Sequence, residues 1–222
     1  MQPMHTMQLI SVNVGKPTPV ITKSGLTGIY KRPSDAPVYV GPFGLTGDNI
    51  SDIKHHGGLD QAVYVFGMPD YAWWSAELDK VLEPATFGEN LTLTGLESAA
   101  YNTGDRLHFD EVVLEITGAR VPCVTLAARM GDPGFVRRFR HAERPGLYCR
   151  VLKTGYISAG ETVTVERYAG PTVNVLEGFR LWFRGHPTEE EIQRMLAAPI
   201  DIRSRRYFEE ELASLRQTAA LQ

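Results

Sequence analysis

The stretch Leu114-Glu-Ile-Thr-Gly-Ala-Arg-Val-Pro-Cys-Val-Thr-Leu-Ala-Ala-Arg-Met130 decides how the rest of the chain is read. Val112, Leu114 and Ile116 alternate with Val113, Glu115 and Thr117, the period of a half-buried strand. Gly118 permits a sharp exit, and Pro122 suits the first position of a helix, which predicts a strand, a turn and a helix with Cys123 in the first helical turn. Free backbone N–H groups and the positive end of the helix dipole favour a thiolate there, and Arg120 adds a formal charge nearby. Such a sulfur is a nucleophile or a soft-metal ligand. The same residue also reads as a small buried hydrophobe, because free cysteines are among the most buried side chains. The stretch alone leaves both readings open.

The chain has 222 residues, enough for one substantial domain or a domain with an appendage. A net charge of −3 gives no overall basic field, which argues against nucleic acid as a partner. Any anion site must therefore be local. No apolar run approaches the ~18 residues of a membrane helix, and the first residues lack the blocks of a signal peptide, so a cytoplasmic protein with no membrane partner is expected. Two cysteines, Cys123 and Cys149, are too few for a disulfide framework, a structural zinc site or an iron–sulfur cluster. Neither a dinucleotide fingerprint nor a Walker A loop occurs. Redox chemistry would need electrons from another protein.

Towards the N-terminus, Met7 to Val14 reads as the first strand, Gly25 to Pro33 as a second short one, and Val38–Val40 as strand and turn. His55 and His56 are neighbours in an extended stretch and point apart, so a zinc pair is not expected. His56 before Gly57 and Gly58 suits close approach of backbone N–H groups to a ligand. Gln61 to Phe66 is an apolar strand. Pro69 opens a helix whose Tyr71, Trp74 and Leu78 form one buried face. Glu89 and Asn90 are expected to hold their loop through bonds to backbone. The region after Gly104 is a hairpin into the central strand, and Phe135–Arg144 is a short basic helix. In the strand near residue 150, Tyr148, Arg150 and Leu152 share one face and Leu147, Cys149 and Val151 the other. Gly155–Gly160 reads as a turn, and Glu161–Tyr168 as the last strand. Beyond Ala169-Gly-Pro171 the pattern turns helical, with a capping box at Thr188 and Glu191.

Several phrases occur in the order found in one family: Ser11-Val-Asn-Val-Gly-Lys-Pro17, Thr27-Gly-Ile-Tyr-Lys31, Gly44-Leu-Thr-Gly-Asp48, His56-Gly-Gly-Leu-Asp-Gln-Ala-Val-Tyr64, Phe87-Gly-Glu-Asn-Leu91, Gly104-Asp105, Arg120-Val-Pro-Cys123 and Gly146-Leu-Tyr-Cys-Arg-Val-Leu152. In these the chain resembles the MOSC family, named after the C-terminal part of molybdenum cofactor sulfurases, and its stand-alone YiiM-like members. The resemblance implies a mainly β fold with helices, a β-barrel MOSC-type domain over residues 1–168, followed by a small C-terminal three-helix appendage over residues 169–222. It implies a molybdenum cofactor, a Mo-molybdopterin, with Cys123 as metal ligand and catalytic centre. Lys31 matches a position facing the cofactor phosphate, and Arg150 matches a family arginine. Arg120 completes the basic set, His56, Gly57 and Gly58 lie beside the cofactor, and Asn90 is within reach of the pterin.

The function that this resemblance implies is a reductase of small N-hydroxylated compounds such as hydroxylaminopurines, served by an external electron-donor protein. Two other readings stand beside it. Cys123 would carry a persulfide in a sulfur-transfer protein, or the chain would bind the cofactor without turnover.

Overall fold

A computed structural model describes residues 6–21, 25–52 and 56–220. Seven strands close into a barrel: β1 (Thr6–Val14), β2 (Val63–Gly67), β3 (Leu91–Leu93), β4 (Arg106–His108), β5 (Val113–Ala119), β6 (Leu147–Lys153) and β7 (Thr162–Glu166). Around the barrel the order is β7, β4, β5, β6, β2, β3, β1, and β1 returns to β7 through Met7 opposite Val163. Every neighbouring pair is antiparallel except β2 and β3, which run parallel with Val65 opposite Leu91.

Alternation drives this closure, because inward side chains on each strand must share one dry interior. Met7 and Leu9 point inward from β1, and a register shift between Leu9 and Ser11 then brings Val12 inward. A bulge of one residue has this effect, since the side-chain period is two. Val63, Val65, Leu114, Ile116, Leu147, Cys149 and Val163 fill the same interior. Burial raises the Cys149 thiol pKa, so this sulfur stays protonated inside the barrel.

Strand β2 is buried on both faces. Its other face, Tyr64 and Phe66, lies beneath an aromatic layer. Helix α1 (Met68–Leu78) supplies the fully buried Tyr71 and Trp74, and the expected stripe is core. Phe87 stacks on Phe66 with ring centroids 4.5 Å apart. Helices α2 (Val124–Met130) and α3 (Phe135–Ala142) complete the layer through Leu126, Phe135 and Phe139.

Three C-terminal helices follow: α4 (Val175–Arg184), α5 (Glu189–Ala197) and α6 (Ile202–Ala220). Helix α4 contributes Val175 to the barrel interior and Phe179 to the aromatic layer. Leu181, Ile192, Met195 and Phe208 form a cluster of their own. Thr188 and Glu191 make the reciprocal capping box read from sequence.

Two local expectations change. The stretch from Gly25 to Pro33 is not one strand: Leu26–Thr27 pairs with Thr18–Pro19, Arg32–Pro33 pairs with the end of β1, and the residues between line a cleft. Gly155–Ile157 is a strand rather than a turn, because Tyr156 lies opposite Tyr39 and packs ring to ring with it at 5.4 Å. Among the described residues no helix is long and apolar enough to cross a membrane.

Candidate functional site

The cleft beside the end of β5 is a space of about 650 Å³ that is open to solvent. Cys123 sits at the N-cap of α2, with extended backbone (φ −130°, ψ 168°), so the helix starts one residue later than predicted and Pro122 precedes it. The carbonyl of Cys123 accepts from the N–H groups of Leu126 and Ala127 at 3.0 and 3.2 Å. Its side chain is partly buried. Burial alone would push the thiol pKa up. A hydrogen bond from His56, the charges of Arg120 and His56, and the Leu126 N–H outweigh that and bring it to about 6. Arg120 and the Leu126 N–H both lower it, and the His56 hydrogen bond, which the reading of the stretch around Cys123 does not include, lowers it most.

Arg120 leaves β5 into this cleft and is almost wholly buried. Its guanidinium lies over the Tyr64 ring, 4.9 Å from the centroid, and it donates to the Phe87 carbonyl. Among the described residues its Nε has no hydrogen-bond partner. A buried, unsatisfied cationic donor is costly unless something outside the chain meets it. Burial opposes its charge, but the surrounding tyrosines and Cys123 hold its pKa above the ordinary arginine value.

Lys31 reaches the same cleft and bonds both oxygens of Asp48. Both side chains are nearly buried, at 7% and 5% exposure. Burial lowers the Lys31 pKa, and the Asp48 carboxylate partly offsets it. Asp48 also accepts from the Gly15 N–H at 2.7 Å and from Asn90 Nδ2 at 2.8 Å. Asn90 in turn accepts from the Tyr64 N–H at 3.1 Å through its side-chain oxygen and donates to the Asn13 carbonyl at 3.3 Å. It ties β1 to β2 at the cleft wall. Glu89, beside it, accepts from Tyr71 Oη, the Ala85 N–H and Thr92 Oγ1 at 2.6 to 2.8 Å. Both residues hold their loop as expected.

His56 and Gly57 line the cleft opposite. The His56 ring faces Cys123, and its Nδ1 lies 3.5 Å from the Tyr148 hydroxyl. Gly57 has φ +70°, a conformation that strains any other L residue, and a Cβ there would press on the Ile50 side chain at 2.8 Å. Gly58 lines an adjoining hollow with Phe43, Leu45 and Ile50; the two spaces share Asp48, Ile50 and Gly57. His55 lies outside the described residues.

Cys123, Lys31, His56, Gly57, Asn90 and Arg120 therefore meet at one cleft. Arg150 does not line it. Its guanidinium faces Asp60 at 3.0 Å and Glu115 at 3.4 Å and donates to the carbonyls of Pro199 and Ile200. Arg150, expected in the basic set that holds the cofactor, thus stands outside this cleft, and it fastens the C-terminal helices to the barrel. Residues to which the sequence alone assigned no role include Asp48, Tyr64 and Tyr148. Tyr148 was detectable as a residue turned out of the barrel, because alternation sets it on the face opposite Leu147 and Cys149, which fill the interior.

A seven-stranded barrel with a cysteine at a helix start, a buried arginine and a glycine-containing loop around one cleft defines a class. A family model described as the MOSC domain matches residues 52–164, and the chain belongs to that family. Within it the chain is YiiM-like. The solved structure of YiiM from Geobacillus stearothermophilus is similar at 26% identity and a TM-score of 0.77, covering 93% of this chain and 99% of that one. An uncharacterised protein, YflK of Bacillus subtilis, is 32% identical over 85% of this chain and 86% of its own. A protein named reductase from Gibberella moniliformis is also 32% identical, over 76% of this chain but only 31% of that larger protein.

Proposed function

We propose that this protein is a molybdenum-cofactor-dependent reductase of small N-hydroxylated compounds, with Cys123 as the protein ligand to the metal. The observation that carries the reading is that one cleft holds Cys123, at a helix start, and a buried arginine whose Nε lacks a partner among the described residues. Among the described residues no three His, Cys, Asp or Glu side chains gather as a metal site. A metal held by one thiolate would arrive with most of its ligands attached, as it does on a pyranopterin dithiolene.

The residues fit such a group. Cys123 offers the soft thiolate, and Arg120 offers the unpaired N–H to an anionic tail. Lys31 is a second cation in the cleft, already neutralised by Asp48, so it contributes less attraction to a phosphate than its charge suggests. Asn90 has its amide engaged on both ends and shapes the wall. When bound, the cofactor would supply two-electron chemistry at the metal. The overall conversion takes an N-hydroxyl compound, two electrons and two protons to the amine and water, with the N–O bond broken. An external donor protein would supply the electrons. His56, with Tyr148 beside its ring, is positioned to hold and release a proton next to Cys123.

A second reading, sulfur transfer through a Cys123 persulfide, is favoured by the same cleft-lining cysteine with its lowered thiol pKa. One experiment separates the two. Protein made in a cofactor-competent host is assayed for bound molybdenum, for reduction of 6-hydroxylaminopurine with an artificial donor, and for cyanide-labile sulfur. The reductase reading expects metal, amine formed only by loaded protein, and little labile sulfur, with Cys123→Ser losing metal and activity while staying folded. Stoichiometric persulfide without metal-dependent reduction, or full molybdenum retention in Cys123→Ser, would overturn it.

A further inference from the structure

The segment His56–Gln61 carries His56 to the Cys123 sulfur, yet its own backbone gives it little rigidity. Gly57 and Gly58 both have positive φ, at +70° and +86°. Among the described residues, the His56 N–H donates to the Asp52 carbonyl at 3.0 Å, outside the segment, and within it the Gln61 N–H donates to the Gly58 carbonyl at 3.3 Å beside the single 3₁₀ turn Leu59–Gln61. Glycines in such conformations lose the most freedom on folding, so the segment needs anchoring from elsewhere.

That anchor comes from the first turn of α6. Arg203 Nη1 donates to the Gly57 carbonyl at 2.9 Å and to Gln61 Oε1 at 2.7 Å, and its Nη2 donates to the His56 carbonyl at 3.2 Å. The arginine is itself aimed by its own helix start. Asp201 accepts from the N–H groups of Arg203 and Ser204 at 3.0 and 3.1 Å and from Ser204 Oγ at 2.6 Å. The Ile202 N–H donates to Asp60 Oδ2 at 2.8 Å, and the Asp60 carbonyl accepts from Thr117 Oγ1 of β5 at 2.6 Å. Arg150 of β6 closes the joint on the other Asp60 oxygen. The start of α6 and the histidine segment are thus fastened to each other and to two barrel strands.

From this we infer that Arg203 is a positioning residue of the site, and that the C-terminal helices, which lie beyond the residues matched by the family model, complete the cleft by fixing His56 against Cys123. The planar guanidinium is suited to this because its forked donors reach two consecutive carbonyls and a side-chain amide at once. A lysine would present a single ammonium point charge and hold only part of the set.

The test uses the full chain with Arg203→Ala, Arg203→Lys and, as a control, Arg206→Ala, which removes an equal charge from an exposed position on the same helix. Hydrogen exchange is followed on the His56 and Gln61 amides and on the amides of β5 and β6. Arg203→Ala should speed exchange at His56 and Gln61 by roughly tenfold or more, as expected when hydrogen bonds from a charged donor are removed. Exchange in the strands should be unchanged, Arg203→Lys should fall between, and Arg206→Ala should match the parent. This readout stands whether or not the metal reading is right. In loaded protein, kcat should fall in the same order while KM stays within about twofold, because an interaction that positions His56 acts more on the chemical step than on binding. Parental exchange at His56 and Gln61 in Arg203→Ala would overturn the inference. So would an equal rise in Arg206→Ala, or a rise spread evenly over the strands, which would mark Arg203 as a general stabiliser.

Discussion

Replacing His56 with alanine should make Cys123 a more ordinary thiol, and the structure gives the size of the effect to look for. With a thiol pKa of about 6 against the ordinary 9.0, Cys123 is mostly ionised at neutral pH. At pH 7 those two values correspond to thiolate fractions of about 90% and about 1%. The rate of alkylation does not rise by that full ratio, because a less basic thiolate is also a weaker nucleophile. With a Brønsted slope of about 0.45, three pH units reduce intrinsic reactivity by roughly twentyfold, leaving a net gain near fourfold. The midpoint of the pH–rate profile is therefore the decisive quantity. Iodoacetamide labelling of cofactor-free protein, followed by mass spectrometry from pH 4 to 10, should give a midpoint near 6 at Cys123. Cys149, buried inside the barrel, should remain unlabelled in the folded state. In His56→Ala the midpoint should move up, because the hydrogen bond that most lowers the thiol pKa is gone. The same shift appears in stability. A group with a depressed folded pKa contributes stability that is fully present above its unfolded pKa and is lost as pH falls through the folded one. Metal-free protein should therefore gain stability as pH rises from about 6 to about 9, and Cys123→Ser should flatten that window. A Cys123 midpoint above about 8, or an unchanged midpoint in His56→Ala, would refute the reasoning.

Two further outcomes concern the scaffold. Lys31→Ala leaves Asp48 buried without its cation, which typically costs about 3–5 kcal/mol; the lower end is expected because Gly15 and Asn90 still donate to the carboxylate, and urea denaturation measures it. Trp74→Ala removes a fully buried ring packed against Phe87, Phe135 and Phe139, and should cost about 3–5 kcal/mol in the same assay.

The two faces of β5 and β6 were legible in their alternation, because the period of two survives locally, while closure into a barrel came only from the resemblance, since no single strand carries its partner's identity. Cys123 was legible for the same reason that it is reactive: helix start, proline and arginine lie within four residues of it. The phrases around Lys31, His56 and Asn90 could be placed together only through the resemblance, since nothing local to them says that they meet. Arg150 shows the limit of that route. A matched residue type at a matched position carries no information about whether its charge faces the cleft or the Asp60 and Glu115 carboxylates on the other side. Arg203 was out of reach altogether. It acts on residues more than 140 positions earlier in the chain, and the helix around it reads as an ordinary charged segment.

The closure of the barrel also sets the order in which the chain can fold during synthesis. Strand β1 must pair with β7, with Met7 opposite Val163 and Thr6 opposite Thr164, and β3 fills only its other edge. On the ribosome the first strand therefore emerges long before its final neighbour exists. Pairings this distant in sequence slow folding, because a large loop must close before they return any energy. During that delay the backbone of Thr6–Gln8 is an open edge and the inward Met7 and Leu9 are uncovered, the kind of surface that recruits strands from other chains. Overexpression of this protein should accordingly be limited by the waiting time of β1, and slower translation at lower temperature should raise the yield of soluble barrel without any change in the stability of the finished fold.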